Sequence, residues 1–374
     1  MPDRRLRIAF FCHNYPPHIG GLEVVVQELA RRLARQHQVV VVTSASHGSV
    51  GRSIEEDVVV WRLPVVRPID RFGVPYPVPI GRHLQSAIAD AHNADILHAH
   101  GCLYPTSILA SYLSRTRGTP LVLTEHVGVV PYRSRVLKSV QKAAWSTIAP
   151  FVVKSARVVQ ALNVRVQTML EERFPGAHVV RTSNGVDETV FRPLDHEARQ
   201  ALRSSFALPP GVPAVLMVAR ESEKKNVPAI LSISRSTFVL IACGANRNLS
   251  GPNIVNLGVV SHKRMPEVYA SADVLVHAAE GEGFPVAVQE AMACGLPVVL
   301  RKDSGYGTAV PRHALYECDP GQEEAAVRTL LGNAMRRNEL AAAARRYAET
   351  HWSWDAVVSA HEDVYLRIME PSRG

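Results

Sequence analysis

The chain has 374 residues, 47% hydrophobic and 20% charged, the balance of an ordinary globular protein long enough for two cores. No run approaches the ~18 apolar residues of a membrane-crossing helix, and the first apolar run, residues 8–12, is too short for a signal-peptide core. Five scattered cysteines without a C-x-x-C pair argue against a disulfide framework and a zinc site, and fit a reducing cytoplasm. The net charge of +8 belongs to the N-terminal half, where residues 1–183 carry 22 Lys/Arg against 12 Asp/Glu. That asymmetry predicts an acidic surface or partner for this half.

Taken in order, residues 6–12 read as a buried strand and residues 13–21 as a loop. A helix is expected over residues 22–36, with Val25, Val26, Leu29, Ala30 and Leu33 at helical spacing. Residues 38–43 form the next strand. Strand, loop, helix and strand, with strands this apolar, predict an α/β chain with a parallel, doubly wound sheet. The pair Gly20-Gly21 lets backbone approach a phosphate at the helix start, although a plain tight turn explains such a pair as well. Residues 57–63 are a further strand, and the Pro-rich run 64–79 is a loop. The strand over residues 94–101 carries His98 and His100, read as structural. The strand over residues 120–126 places His126 at its C-terminal end, the edge where open α/β sheets put ligands.

Between residues 127 and 157 there is no acidic side chain, while Arg133, Arg135, Lys138, Lys142, Lys154 and Arg157 are all present. Interleaved Val136, Leu137, Val140, Ala144 and Trp145 predict a basic amphipathic helix or helix pair. Two readings stay open: a surface for an anionic bilayer, each basic residue adding about 1 kcal/mol, or the solvated face of a helix packed on the sheet. Nucleic acid is not expected as a partner, since few aromatics are interleaved and no nucleic-acid motif is present.

Residues 156–162 and 179–182 continue the strands. Asn184-Gly185 is a turn signal and Pro193 blocks a helix. The next strand, residues 214–219, runs into Arg220-Glu221-Ser222-Glu223-Lys224-Lys225-Asn226. Basic residues five apart at a strand mouth can grip a diphosphate from two sides, Arg as a fork and Lys as a point charge. On the residues alone, a solvated charge run explains them equally. Gly244 ends the strand 238–243, so close behind Asn226 that only a clipped helix fits between them. Strands over residues 253–257 and 273–278 flank a helix over 265–270.

The segment from Ala272 to Val299 reads as strand, Gly-rich loop, helix and strand. Pro285 suits the first turn of the helix, Gly295 a left-handed end, and Pro297 forbids continuation. Glu282 lies in the loop and Glu290 eight positions on, in the helix. Between them Gly283, Phe284 and Pro285 lead into a helix N-terminus, where unpaired N–H groups favour an anion. An acid at each end with a phosphate site between them suits a sugar nucleotide.

Glu282-x7-Glu290, followed by Ala291-Met292-Ala293-Cys294-Gly295-Leu296-Pro297-Val298-Val299, closely resembles the signature of the retaining GT-B glycosyltransferases of family 4, the glycosyl transferases group 1. The Thr124-x-His126 placement, the Asn184-Gly185-Val186-Asp187 segment with Phe191-x-Pro193, the Arg220/Lys225 spacing and Ser353-Trp354-x-x-Val357 resemble further motifs of that family. The resemblance implies a GT-B fold: two Rossmann-like, doubly wound domains facing across a cleft. Residues 1–183 would be the acceptor domain and 184–354 the nucleotide-sugar donor domain, with a helix over 355–374 returning to the first. It implies that His126, Glu282, Arg220 and Lys225 are catalytic. Gly20 and Gly21 would lie near the donor phosphates, and Arg220 and Lys225 on the diphosphate, with Lys224 out of register. Glu282, Gly283, Phe284 and Pro285 would hold the sugar and phosphates, Glu290 the ribose, and Gly244 and Val260 would lie near the base. Without an Asp-x-Asp, the two cations are expected to stand in for a metal. Glu280-Gly281-Glu282 could pass for a metal pair, but the family uses one of these acids for sugar hydroxyls, so neither metal nor cofactor is expected. The resemblance further implies retention by same-face attack, the leaving phosphate helping to deprotonate the acceptor, and domain closure that excludes water. The donor would be a UDP- or GDP-sugar, and the acceptor a glycolipid, lipid-linked oligosaccharide or polysaccharide. The expected location is the cytoplasm, with peripheral contact at the inner face of a membrane through Arg133, Arg135, Lys138 and Lys142. Two rivals remain, a sugar-nucleotide epimerase of the same architecture and a nucleotide-sugar-binding protein without turnover.

Overall fold

The computed structural model describes residues 5–18, 20–45, 49–68, 76–130, 132, 134–219, 223–244, 249–303 and 310–370. The chain divides into two compact units, residues 1–183 with 355–374, and residues 184–354.

In the first unit the strands are β1 (Arg7–Phe11), β2 (Gln38–Ser44), β3 (Gly51–Glu55), β4 (Val58–Leu63), β5 (Val65–Val66), β6 (Val78–Pro79), β7 (Ile96–His100), β8 (Leu121–Glu125), β9 (Val158–Ala161) and β10 (Val179–Arg181). The helices are α1 (Gly21–Leu33), α2 (His83–His92), α3 (Pro105–Arg117), α4 (Arg135–Ser155) and α5 (Val164–Arg173). The main sheet runs β10-β9-β8-β7-β1-β2-β4-β3, parallel except for β3. Every residue of β7 and β8 is buried, as expected of parallel strands covered on both faces. The strand order reverses between β1 and β7, so the loops leaving β1, β7 and β8 frame the crevice where such sheets bind ligands.

The second unit contains β11 (Ala214–Val218), β12 (Val239–Cys243), β13 (Ile254–Gly258), β14 (Val274–His277), β15 (Val298–Arg301) and β16 (Tyr316–Cys318). Its helices are α6 (His196–Ser205), α7 (Val227–Leu231), α8 (Met265–Ser271), α9 (Val286–Ala293), α10 (Glu323–Gly332) and α11 (Ala334–His351). The sheet is parallel throughout, in the order β13-β12-β11-β14-β15-β16, and reverses between β11 and β14. The loops carrying Lys225 and Glu282 leave those two strands. One sheet face packs Leu216, Ile241, Met292 and Trp352, and the other packs Val215, Leu240, Val299 and Leu330.

The last helix, α12 (Trp354–Met369), groups with the first unit. Tyr365 OH lies 2.7 Å from His98 Nδ1, and Glu362 accepts from His37 Nε2 at 3.1 Å. Where the chain crosses between units, Val186 N–H donates to the Trp352 carbonyl at 2.7 Å, and Val186 and Ser353 form a parallel bridge.

Several boundaries differ from the sequence-based expectation. The helix α1 ends at Leu33, short of residue 36, and the basic stretch forms one helix rather than a pair. The strand β3 was not expected. Its turn to β4 uses Glu56 and Asp57, both with positive φ (48° and 66°), without the glycine that usually signals such a hairpin. The 64–79 loop contains the short β5–β6 pair. Pro285 occupies the N-cap position rather than the first turn of α9, and Gly295 takes the expected left-handed conformation (φ 65°). The clipped helix is α7, five residues long. All five cysteines are buried and free of disulfides.

Candidate active site

In the second unit the sheet delivers Glu282 and Lys225 to one place. His277 is the last residue of β14, and the loop that follows turns Glu282 back over it. Glu282 is only 7% exposed. Its Oε1 lies 2.7 Å from Lys225 Nζ and 3.9 Å from Lys224 Nζ, and its Oε2 lies 3.1 Å from His277 Nε2. Burial alone would raise the Glu282 carboxyl, but the His277 hydrogen bond and the Lys225 charge outweigh it and hold the group well below the usual carboxylate range. Glu282 is therefore ionised and accepts only, so His277 carries its proton on Nε2. Burial pushes the His277 imidazole down, which keeps it neutral.

The helix α9 carries Glu290, whose two oxygens are likewise divided. Tyr269 O–H donates to Oε2 at 2.7 Å, and His262 Nε2 lies 2.6 Å from Oε1. Gly283, Phe284 and Pro285 are buried, and Phe284 packs on Trp352 with ring centroids 5.1 Å apart. Asn184 braces this loop: its Nδ2 donates to the Phe284 carbonyl at 3.4 Å, and its own carbonyl accepts from Gln289 Nε2 at 2.9 Å. Glu280 does not pair with Glu282. It accepts from Arg301 Nη1 at 2.7 Å, while Arg301 Nε donates to Glu323. Among the described residues, no group of three or more His, Cys, Asp or Glu is placed to hold a metal ion. Gly244 follows β12, its N–H bonded to the Gly258 carbonyl, and Val260 is half-buried just beyond β13. Arg220 lies outside the described residues.

In the first unit His126 is buried just past β8, with its Nε2 3.0 Å from His100 Nδ1. Burial pushes its pKa down to about 4 despite the nearby Glu23 charge. The preceding Glu125 braces the loop, accepting from Cys102 N–H at 2.8 Å and Gly128 N–H at 3.0 Å. His100 Nε2 is buried without a hydrogen-bond partner among the described residues. An orphaned lone pair is cheaper than an orphaned N–H, which assigns the His100 proton to Nδ1 and the His126 proton to its own Nδ1. Gly20 caps α1, and a Cβ there would meet Glu23 Oε2 at 2.0 Å. The carboxylate nearest this helix N-terminus is thus Glu23 itself, 2.8 Å from His18 Nδ1. Gly21 is the first residue of α1. Arg135, Lys138 and Lys142 are all exposed on the first half of α4, together with Val136 and Val140, and Arg133 lies outside the described residues.

The sequence model of the family described as Glycosyltransferase Family 4 matches residues 19–190, and that of glycosyl transferases group 1 matches residues 198–351. The chain belongs to the family 4 glycosyltransferases. Membership sets aside the epimerase and binding-protein readings. A GDP-mannose-dependent alpha-mannosyltransferase of Mycobacterium tuberculosis is 25% identical to this glycosyltransferase over 321 residues, 82% of each chain. A D-inositol 3-phosphate glycosyltransferase of Xylanimonas cellulosilytica is 28% identical over 398 residues, 93% of this chain and 92% of its own. Among solved structures, Anabaena HepE in complex with UDP-glucose matches with a TM-score of 0.76 at 16% identity, covering 97% of this chain and 100% of that one. The likeness shows a shared GT-B fold, a two-unit α/β chain with a mainly parallel sheet in each half.

Several residues that meet these candidates escaped the motif reading. His277 stood within the quoted stretch but carried no motif of its own, and its strand-end position was the one available signal. Tyr269 and His262 meet Glu290 from 21 and 28 positions away, and Glu125, next to His126, stands out only through the Cys102 and Gly128 N–H groups it accepts from. Asn184 carried a turn signal and nothing that pointed to Phe284.

Proposed function

We propose that this glycosyltransferase moves a hexose from a UDP- or GDP-sugar to a hydroxyl of a glycolipid, lipid-linked oligosaccharide or polysaccharide, with retention of anomeric configuration. The observation that carries the reading is Glu282, a buried and ionised carboxylate held between Lys225 and His277, eight positions ahead of Glu290. A carboxylate so placed accepts hydrogen bonds from sugar hydroxyls, and Glu290 accepts them from the ribose. Arg220, Lys225 and the amides leading into α9 take the charge that develops on the leaving diphosphate, as preorganised electrostatics requires. The leaving phosphate then assists removal of the acceptor's proton. His126 contributes from the first unit, offering Nδ1–H to a sugar oxygen, with Gly20 and Gly21 near the donor phosphates. Gly244 and Val260 lie toward the base.

The positive charge comes from these side chains rather than from a metal ion, since Glu280 is already engaged by Arg301. Both bases stay in view, because the mycobacterial relative is named for GDP-mannose and HepE was solved with UDP-glucose. The exposed basic face of α4 suits an anionic bilayer and so a lipid-linked acceptor. No helix among the described residues is long and apolar enough to cross a membrane. Contact would then be peripheral, at the cytoplasmic face, where five buried thiols stay reduced.

The test is a thermal-shift panel of UDP, GDP and their glucose and mannose conjugates, with and without chelator. One base should raise the melting temperature, and chelator should leave the shift unchanged. Glu282→Ala and Lys225→Ala should each lower nucleoside diphosphate release from that donor by about 100-fold or more with the fold intact. Wild-type rates in both variants would overturn the site.

A further inference from the structure

We propose that His277 is a positioning residue for Glu282, holding this carboxylate on the donor sugar when Lys225 turns to the diphosphate. The inference rests on the reading of Glu282 as the sugar-contacting acid and adds a residue to it.

Two observations carry it. The first is the division of Glu282 between a charged partner and a neutral one, on different oxygens. Lys225 Nζ takes Oε1 at 2.7 Å, and His277 Nε2 takes Oε2 at 3.1 Å. The second is the contrast in how those partners are mounted. Lys225 ends a single 3-10 turn, Glu223–Lys225, on a flexible four-carbon stem that is 20% exposed. His277 is 3% exposed and paired in register with Leu300 of the neighbouring strand β15. One partner is free to swing and the other is fixed by the sheet.

A diphosphate arriving at the start of α9 offers Lys225 more negative charge than one carboxylate does. As Lys225 turns toward it, the Lys225 ion pair with Oε1 opens. A sugar hydroxyl can then donate to the lone pairs that Lys225 occupied. Through that exchange His277 keeps a donor on Oε2, because the sheet holds its imidazole in place. His277 supplies that donor without adding charge, since a neutral imidazole leaves the anion intact for the sugar. The same arrangement makes Lys225 and the sugar successive occupants of one oxygen, which couples diphosphate binding to sugar recognition.

The experiment is calorimetric titration of the full chain with UDP, GDP, UDP-glucose and GDP-mannose. It compares wild type with His277→Leu, His277→Gln and Glu282→Ala. The readout is the affinity for the nucleotide sugar relative to that for its nucleoside diphosphate. His277→Leu should bind the nucleoside diphosphate as wild type does, while this ratio falls about tenfold, the scale of one hydrogen bond to a charged group. His277→Gln, whose Nε2 reaches a similar position, should restore most of the ratio. If His277→Leu does not fold, His277→Asn replaces it, because its shorter amide stops short of Oε2. A ratio unchanged in the variant that lacks the donor, but lowered in Glu282→Ala, would overturn the role of His277 alone. A ratio unchanged in Glu282→Ala as well would overturn the reading of Glu282 itself.

Discussion

Two glycines show how the cost of one added methyl depends on what it meets. At Gly185 a Cβ would fall 2.3–2.7 Å from the Trp354 ring, a rigid and buried aromatic. At Gly20 it would meet the far end of Glu23, which can rotate away. Gly185→Ala should therefore destabilise the chain by about 1–3 kcal/mol through overpacking, and Gly20→Ala by less. Urea unfolding of both variants checks the order, and equal midpoints would refute it. The Asn-Gly pair was legible as a turn, but the reason for its glycine was not, since Trp354 lies 169 positions away. Glu282, Glu290 and Lys225 became candidates because their spacing resembles the family motif. His277 and Tyr269 were not, because the bonds that give them meaning close only when strand and helix pack.

At the scale of an element, α4 poses the clearest question. Its first half exposes Val136 (67%) and Val140 (53%), one turn apart, beside Arg135, Lys138 and Lys142. Its second half buries Trp145, Ala149, Val152 and Val153 on the sheet. One helix thus has a packed portion and an exposed basic portion, and that exposure is compatible with either reading the sequence left open, a bilayer surface or a solvated face. If the exposed half meets an anionic bilayer, each basic residue adds about 1 kcal/mol at the surface. Lys138→Glu with Lys142→Glu should reduce cosedimentation with phosphatidylserine vesicles at least tenfold, and added salt should weaken wild-type binding in the same assay. Equal binding of variant and wild type would remove the membrane from the account. The element itself was predictable from periodicity, whereas the point where exposure gives way to burial was set by the sheet beneath.

For the whole molecule, acid sensitivity should be uneven between the units. His13, His126 and His361 all belong to the first unit, and burial pushes each down to about 4. His98 and His100 are also lowered by burial. His13 stacks on Tyr104 at 3.6 Å, His126 faces His100, and His361 lies 5.5 Å from His98, with Tyr365 and Glu23 nearby. An unfolded histidine titrates near 6.5, so between about pH 6.5 and 4 the unfolded chain binds more protons than the folded one. Stability of this unit is then full above about pH 7 and falls with acid, by about 1.4 kcal/mol per pH unit for each such group. Glu282, in the second unit, is shifted in the same direction but from the lower carboxylate range, so its contribution stays intact down to that range and is lost only as pH falls from there through its depressed folded value. Calorimetric unfolding from pH 8 to 4.5 should show the first unit weakening first. A transition that does not move across that range would contradict the buried neutral cluster.

Local chemistry alone determined most strands of the two main sheets and the helices α1, α4, α7, α8 and α9 that flank the candidate site. Apolar runs, helical spacing and Gly/Pro punctuation act within a few positions of the chain. The spacing of Glu282, Glu290 and Lys225 was readable at that level too, and their roles came from resemblance to the family. Only tertiary structure decided which polar tips meet. Tyr365 O–H donates to His98 Nδ1, His98 Nε2–H donates to the Thr124 hydroxyl, and that hydroxyl donates to Gln160 Oε1. This line of hydrogen bonds runs from α12 across β7, β8 and β9, neighbours in the sheet though far apart in sequence. Its direction and partners follow from parallel register, which sets His98 opposite Val122 and His100 opposite Thr124. Register is a property of the assembled sheet, since each strand's own sequence specifies that it is buried but not which neighbour buries it.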